Sequence, residues 1–92
     1  MKYTGKKNRE LRAKGHHLKP VVVIGSVLTK TLLERINEEL NAHSLIKVRL
    51  GKGVSNRKQL AVVIAEKTGA HVAQMIGRVL LLYLPPKEED VR

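Results

Sequence analysis

Two strand-length segments, the apolar run Val21 to Ile24 and the alternating Leu45 to Leu50, flank a segment whose apolar residues recur at Leu28, Leu32, Leu33, Ile36 and Leu40. That recurrence marks one face of an α-helix, while the flanking runs are too short for helices and suit strands. Strand, helix and strand in this order predict parallel strands joined by a right-handed crossover, because that hand lets the helix pack back onto the sheet. The central helix is expected to start after Thr29, whose hydroxyl suits an N-cap, and to carry Glu34, Glu38 and Glu39 on its solvated side.

The two strands read differently. Val21-Val22-Val23-Ile24 is β-branched and apolar on both faces, which predicts a buried central strand ended by Gly25. From Leu45 to Leu50 the pattern alternates, with Ile46, Val48 and Leu50 on one side and Lys47 and Arg49 on the other. That is a half-buried strand with a basic face.

Outside this unit, Thr4 can cap a helix that places Lys7, Leu11 and Gly15 on one face. Its apolar stripe is thin, so it should lie on the surface, held by Leu11 and Leu18, with its cations in water. Pro20 closes the helix region, because the residue before a proline is pushed toward extended geometry. After the loop Gly51 to Val54, Ser55 is the expected cap of a third helix with Leu60, Val63, Ile64 and the stem of Lys67 turned inward. Gly69 ends it in the left-handed region. His71 to Ile76 and Val79 to Leu84 then form a hairpin through Gly77-Arg78, since glycine first suits a type II′ turn. Pro85-Pro86 stops the last strand, and Glu88-Glu89-Asp90 is expected to be a loose tail.

The reading is therefore an α/β chain of order α-β-α-β-α-β-β. Parallel pairing is expected wherever a helix links two strands, and the closing hairpin adds one antiparallel pair. At 92 residues one domain is expected, its core spanning about residues 4 to 85.

Charge speaks to partners. Lysine and arginine number 18 against 8 acids, a formal charge of +10, and such an excess repels itself unless a polyanion is its working partner. The cations are also segregated. Lys2, Lys6, Lys7, Arg9, Arg12, Lys14 and Lys19 have only Glu10 among them, and Lys47, Arg49, Lys52, Arg57 and Lys58 have no acid among them. Solvated faces on a nonspecific basic protein are the plain alternative; clustering in two acid-poor segments favours nucleic acid.

The mode of binding is narrowed by what the composition lacks. Modules that splay out single-stranded bases stack them on aromatic rings, yet there is no Phe or Trp and only Tyr3 and Tyr83. Tyr83 lies in an apolar run and reads as core or core edge, which leaves phosphate and shape recognition of folded RNA. Gly25, between a strand and a helix, reads equally as a tight turn or as a phosphate-receiving turn, with Ser26 beside it.

Catalytic and metal readings find little. His16 and His17 are adjacent and should point apart on a helix, His43 and His71 are isolated, and cysteine is absent. Ser26 lacks the frame of a nucleophile elbow. No enzyme, cofactor or metal site is expected. With no cysteine, no signal peptide expected, and a longest apolar run from Val79 to Leu84, the expected location is the cytoplasm, with no membrane partner.

Several strings carry a resemblance. His16, Leu18-Lys19-Pro20-Val21-Val22, Gly25 and Leu28-Thr29 look like the opening of a CRM domain, the chloroplast RNA splicing and ribosome maturation module. Leu45-Ile46-Lys47-Val48 resembles its middle strand, while Thr68-Gly69-Ala70, Gln74, Ile76-Gly77, Leu80 to Tyr83 and Pro85 resemble its closing signature. A chain of this length is similar to the bacterial YhbY-like proteins. The resemblance implies a mixed four-stranded sheet with helices, similar to the C-terminal domain of a bacterial translation initiation factor. It also implies association with ribosomal RNA in precursors of the large subunit during assembly.

Two departures stand out. The family's G-x-x-G loop is shortened here to Gly25-Ser26-Val27-Leu28-Thr29, and Leu84 follows the last strand's tyrosine where the family often has arginine. The expected RNA contacts are Lys6, Lys7, Arg9, Arg12, Lys14, Lys19, Gly25, Ser26, Lys47, Arg49, Lys52, Arg57 and Lys58, in a protein acting as a monomer. The competing function is a basic interaction protein that binds ribosomal proteins or an anionic surface, with RNA contact incidental.

Overall fold

A computed structural model describes residues 4–86. The elements are α1 (Gly5–Gly15), β1 (Pro20–Ile24), α2 (Lys30–His43), β2 (Leu45–Leu50), α3 (Arg57–Thr68), β3 (His71–Ile76) and β4 (Val79–Tyr83). This is the expected order, and the acidic Glu88-Glu89-Asp90 segment lies outside the described residues.

Local chemistry sets most boundaries. The Thr4 hydroxyl accepts from the Lys7 amide at 3.1 Å and the Thr29 hydroxyl from the Leu32 amide at 3.1 Å, each satisfying an orphan donor of a first helical turn. The cap of α3 is Asn56 rather than Ser55: its Oδ1 accepts from the Gln59 amide at 3.1 Å, so the helix begins one residue later than expected. Gly69 closes α3 at φ 77°. Gly77 has φ 57° while Arg78 keeps a negative φ, as the type II′ turn requires. α1 ends at Gly15, so His16 and His17 stand beyond the helix, with ring centroids 6.1 Å apart.

The sheet order is β1-β2-β4-β3. β1 and β2 pair in parallel, and β2–β4 and β3–β4 are antiparallel. Two expectations are corrected here. The helix-linked strands β2 and β3 share a direction but are not neighbours, because β4 inserts between them, giving two antiparallel pairs instead of one. The cause lies in β4, where Leu80, Leu81, Leu82 and Tyr83 are all buried; a strand apolar on both faces belongs in the centre. β1, read as central, is an edge strand: Val22 and Ile24 are buried, but Val21 is 38% and Val23 57% exposed. α1 packs over β2, β3 and β4, leaving that face of β1 uncovered.

Alternation along the strands creates two cores. On one face Val22, Ile24, Ile46, Val48, Leu50, Leu80 and Leu82 meet Ile36 and Leu40 of α2 and Ala61 and Ile64 of α3. On the other, Leu81, Tyr83 and Ala73 meet Leu11 of α1. Leu18 does not help hold α1, being 36% exposed. Gly15 takes that role, since a Cβ there would lie 2.6 Å from Leu81 Cδ1. In α3, Ile64 is buried as expected and Leu60, half-buried, packs against the same core, but Ala61 is buried where Val63 was expected; Val63 is half-buried and Lys67 is exposed. The helix turns its smallest side chain to the sheet, which allows close approach.

Candidate nucleic-acid interface

Short connections bring three loops to one end of the sheet. The Gly51 amide donates to the Ile24 carbonyl at 2.7 Å, and the Leu50 amide to the Arg78 carbonyl at 2.6 Å. The loop after β1, the loop after β2 and the β3–β4 turn therefore meet, and α2 and α3 both start from this end. Gly25, Ser26, Lys52, Arg57 and Lys58 gather here, all exposed. Arg78, which sequence reasoning passed over, joins them as the exposed second residue of the turn. The signal was present in the Gly77-Arg78 pair, but its neighbours depend on strand order.

Gly25 proves less constrained than the glycines opposite it. A Cβ on Gly25 would meet nothing within 4 Å, and its φ is not positive. By contrast, a Cβ on Gly51 would stand 2.7 Å from the Gly25 carbonyl oxygen, and one on Gly53 2.8 Å from Ser26 Cβ and 2.9 Å from that oxygen. Gly51 and Gly53, read only as a loop, let the two loops pack backbone to backbone.

The remaining cations lie on the α1 face. Strand register places Lys47 opposite Leu81, the residue under Gly15, and Arg49 opposite Val79, next to the turn. Lys47 is half-buried and Arg49 exposed. They form a stripe from the end of α1, with Lys14 and Lys19, along β2 to the three-loop end. On α1 itself Lys6, Arg9 and Lys14 are exposed and Arg12 is half-buried. Lys7 turns inward, its Nζ 5.1 Å from the centre of the Tyr83 ring, so part of its charge is spent on the fold. Tyr83 itself is 6% exposed and offers no stacking platform.

A second tie fixes the start of α1. In its Nε2–H tautomer His71 donates to Asn8 Oδ1, 2.7 Å away, and burial holds the His71 pKa below the ordinary imidazole value. Among the described residues, Glu39 of α2 forms an ion pair with Arg35 at 3.5 Å and lies 3.7 Å from His43 Nε2, a second ion pair only when that ring carries its proton. The cations of the stripe and of the three-loop end form none. Also among the described residues, no three His, Cys, Asp or Glu side chains cluster to hold a metal.

Comparison with known proteins identifies a family and several named relatives. The model of the CRS1 / YhbY (CRM) domain family matches residues 4–83. A Haemophilus influenzae protein named "RNA-binding protein" is 38% identical over 89 residues, covering 95% of this chain and 90% of the relative. "Probable RNA-binding protein MJ0652" of Methanocaldococcus jannaschii is 34% identical over 87 residues, covering 91% of this chain and 65% of that longer protein. The solution structure of the Staphylococcus aureus protein SAV1595 superposes with a TM-score of 0.78 at 29% identity, covering 91% of this chain and 90% of that one.

Proposed function

The chain belongs to the CRS1/YhbY (CRM) domain family, and from that premise we propose that it binds structured ribosomal RNA in precursors of the large subunit and assists their assembly in the cytoplasm. The observation that carries this reading is the cationic stripe running from the end of α1 along Lys47 and Arg49 to the three-loop end, with Glu10 the one acid among the cations of α1. Unpaired side-chain cations at that density neutralise phosphates and release counterions, a driving force that needs no base readout. Among the described residues, three of the five acids, Glu34, Glu38 and Glu39, sit on α2, so a polyanion meets the α1 side more favourably than the α2 side. Family relatives carry names of binding rather than of catalysis.

The coarse claim is tested by measuring affinity for a folded RNA across salt concentration. About four to six neutralised phosphates give a log-log slope of roughly −3 to −5; a slope near zero removes the phosphate-led mechanism. The finer claim is tested by sedimenting cell extract. Co-migration with particles lighter than the mature large subunit supports an assembly role, and migration with free protein only rejects it.

A further inference from the structure

Beside the phosphate-facing loops lies a hollow of about 270 Å³ between the loop that enters α2 and the first turns of α3. Its walls are aliphatic, from Val27, Leu28, Val54, Leu60 and Val63. Val27, 67% exposed, contributes the most open part of that aliphatic wall. At the rim stand Asn56 and Gln59, whose side-chain amides hydrogen-bond each other at 3.5 Å and keep further donor and acceptor positions, and no acidic residue lines the hollow. The volume falls just below the range of drug-sized ligand pockets, which fits a single small planar group.

What lies next door identifies the occupant. Ser55 and Asn56 also line a second hollow, shared with Arg57, Lys58, Met75 and Gly77. One wall thus separates a cationic hollow from an apolar one. A phosphate held at Arg57 and Lys58 would place its own or the next nucleoside at the mouth of the aliphatic hollow. We infer that this hollow takes one unpaired nucleobase of the RNA, its faces against Val27, Leu60 and Val63 and its edge toward the amides of Asn56 and Gln59. The inference rests on the RNA-binding reading above and goes beyond it. Backbone contacts would hold folded RNA in general, and this hollow would select RNA that presents an unpaired residue beside a helix, without any aromatic platform.

The test compares two RNAs that share the same helix, one fully paired and one carrying a single bulged 2-aminopurine, whose fluorescence reports unstacking. The wild-type protein should bind the bulged RNA roughly five- to tenfold more tightly, and the emission should rise on binding. Because apolar burial releases no counterions, that ratio should persist between low and moderate salt while both affinities fall. Val63→Phe, which fills the hollow from its floor, should bring the two affinities together and abolish the emission change. Should Val63→Phe melt early, Gln59→Ala, at an exposed rim position, should still reduce the ratio. Equal wild-type affinities with unchanged emission overturn the base pocket while leaving RNA binding standing. A preference that survives both variants also overturns it, by placing the base elsewhere. Failure of both RNAs to bind would instead overturn the RNA reading on which the pocket rests.

Discussion

The sheet's two faces are covered on different terms. α2 and α3 close one face with Ile36, Leu40, Ala61 and Ile64 over seven buried strand residues, and α2 carries its acids and ion pairs outward. α1 closes part of the other face with Leu11, the notch at Gly15 and polar ties at Lys7 and Asn8, and its charged outer surface carries four further cations, Lys6, Arg9, Arg12 and Lys14, against the single acid Glu10. Stability is concentrated on the first face and charge on the second. A basic helix can be carried by a domain this small because the opposite face supplies the core.

This division can be broken most forcefully at Ile64. Ile64→Ala should cost about 2–5 kcal/mol and lower the melting temperature of the whole domain; a shift of only a degree or two would mean the principal core is not where stability resides. Gly15→Ala should act on the other face alone. Its new methyl would meet buried Leu81, an overpacking cost of roughly 1–3 kcal/mol partly offset by alanine's better helix propensity. Hydrogen exchange should then quicken in α1 while β2 and β4 amides stay protected; uniform loss of protection would show that the two covers unfold as one.

Charge tests sharpen the contrast. Arg9→Ala combined with Lys14→Ala should weaken binding of folded RNA by roughly tenfold and flatten its salt slope by about 1.4–1.8, whereas Arg35→Ala on α2 should leave both unchanged. Equal losses from the two variants would dissolve the distinction between faces. The smallest effect concerns pH. Burial lowers the His71 pKa in the folded state relative to 6.5, so the unfolded chain takes up the proton first as pH falls. Stability from this group is therefore complete above about pH 6.5 and declines as pH falls through that value. His71→Gln should remove part of the drop in melting temperature between pH 7.5 and 5.5, and an identical pH profile in both proteins would exclude the contribution.

Features fixed by neighbours in sequence were legible in it. Thr4, Thr29, Gly69 and Gly77 each announce a cap or turn through their own chemistry, and the Leu32-Ile36-Leu40 stripe announces its helix. Features fixed by distant neighbours were not. An apolar run such as Val21 to Ile24 looks the same whether both faces are covered or one, and only the reach of α1 decides which. The insertion of β4 between β2 and β3 depends on competition among strands for the centre of the sheet. The candidate site divided in the same way: the acid-poor segments were visible, but the meeting of Arg78 with Lys52 and Arg57, and the need for glycine at 51 and 53 rather than at 25, exist only once three loops share one end.

The close seating of Gly51 and Gly53 against Gly25 and Ser26 has a kinetic meaning. Loops that interlock backbone to backbone lose their freedom when the domain folds, so little ordering remains for the moment of encounter. A surface preorganised in this way captures its partner without a preceding conformational step, and the observed association rate should climb linearly with RNA concentration. A side chain forced between the loops, as in Gly53→Val, would separate them and restore the missing step, which would appear as a plateau in that rate.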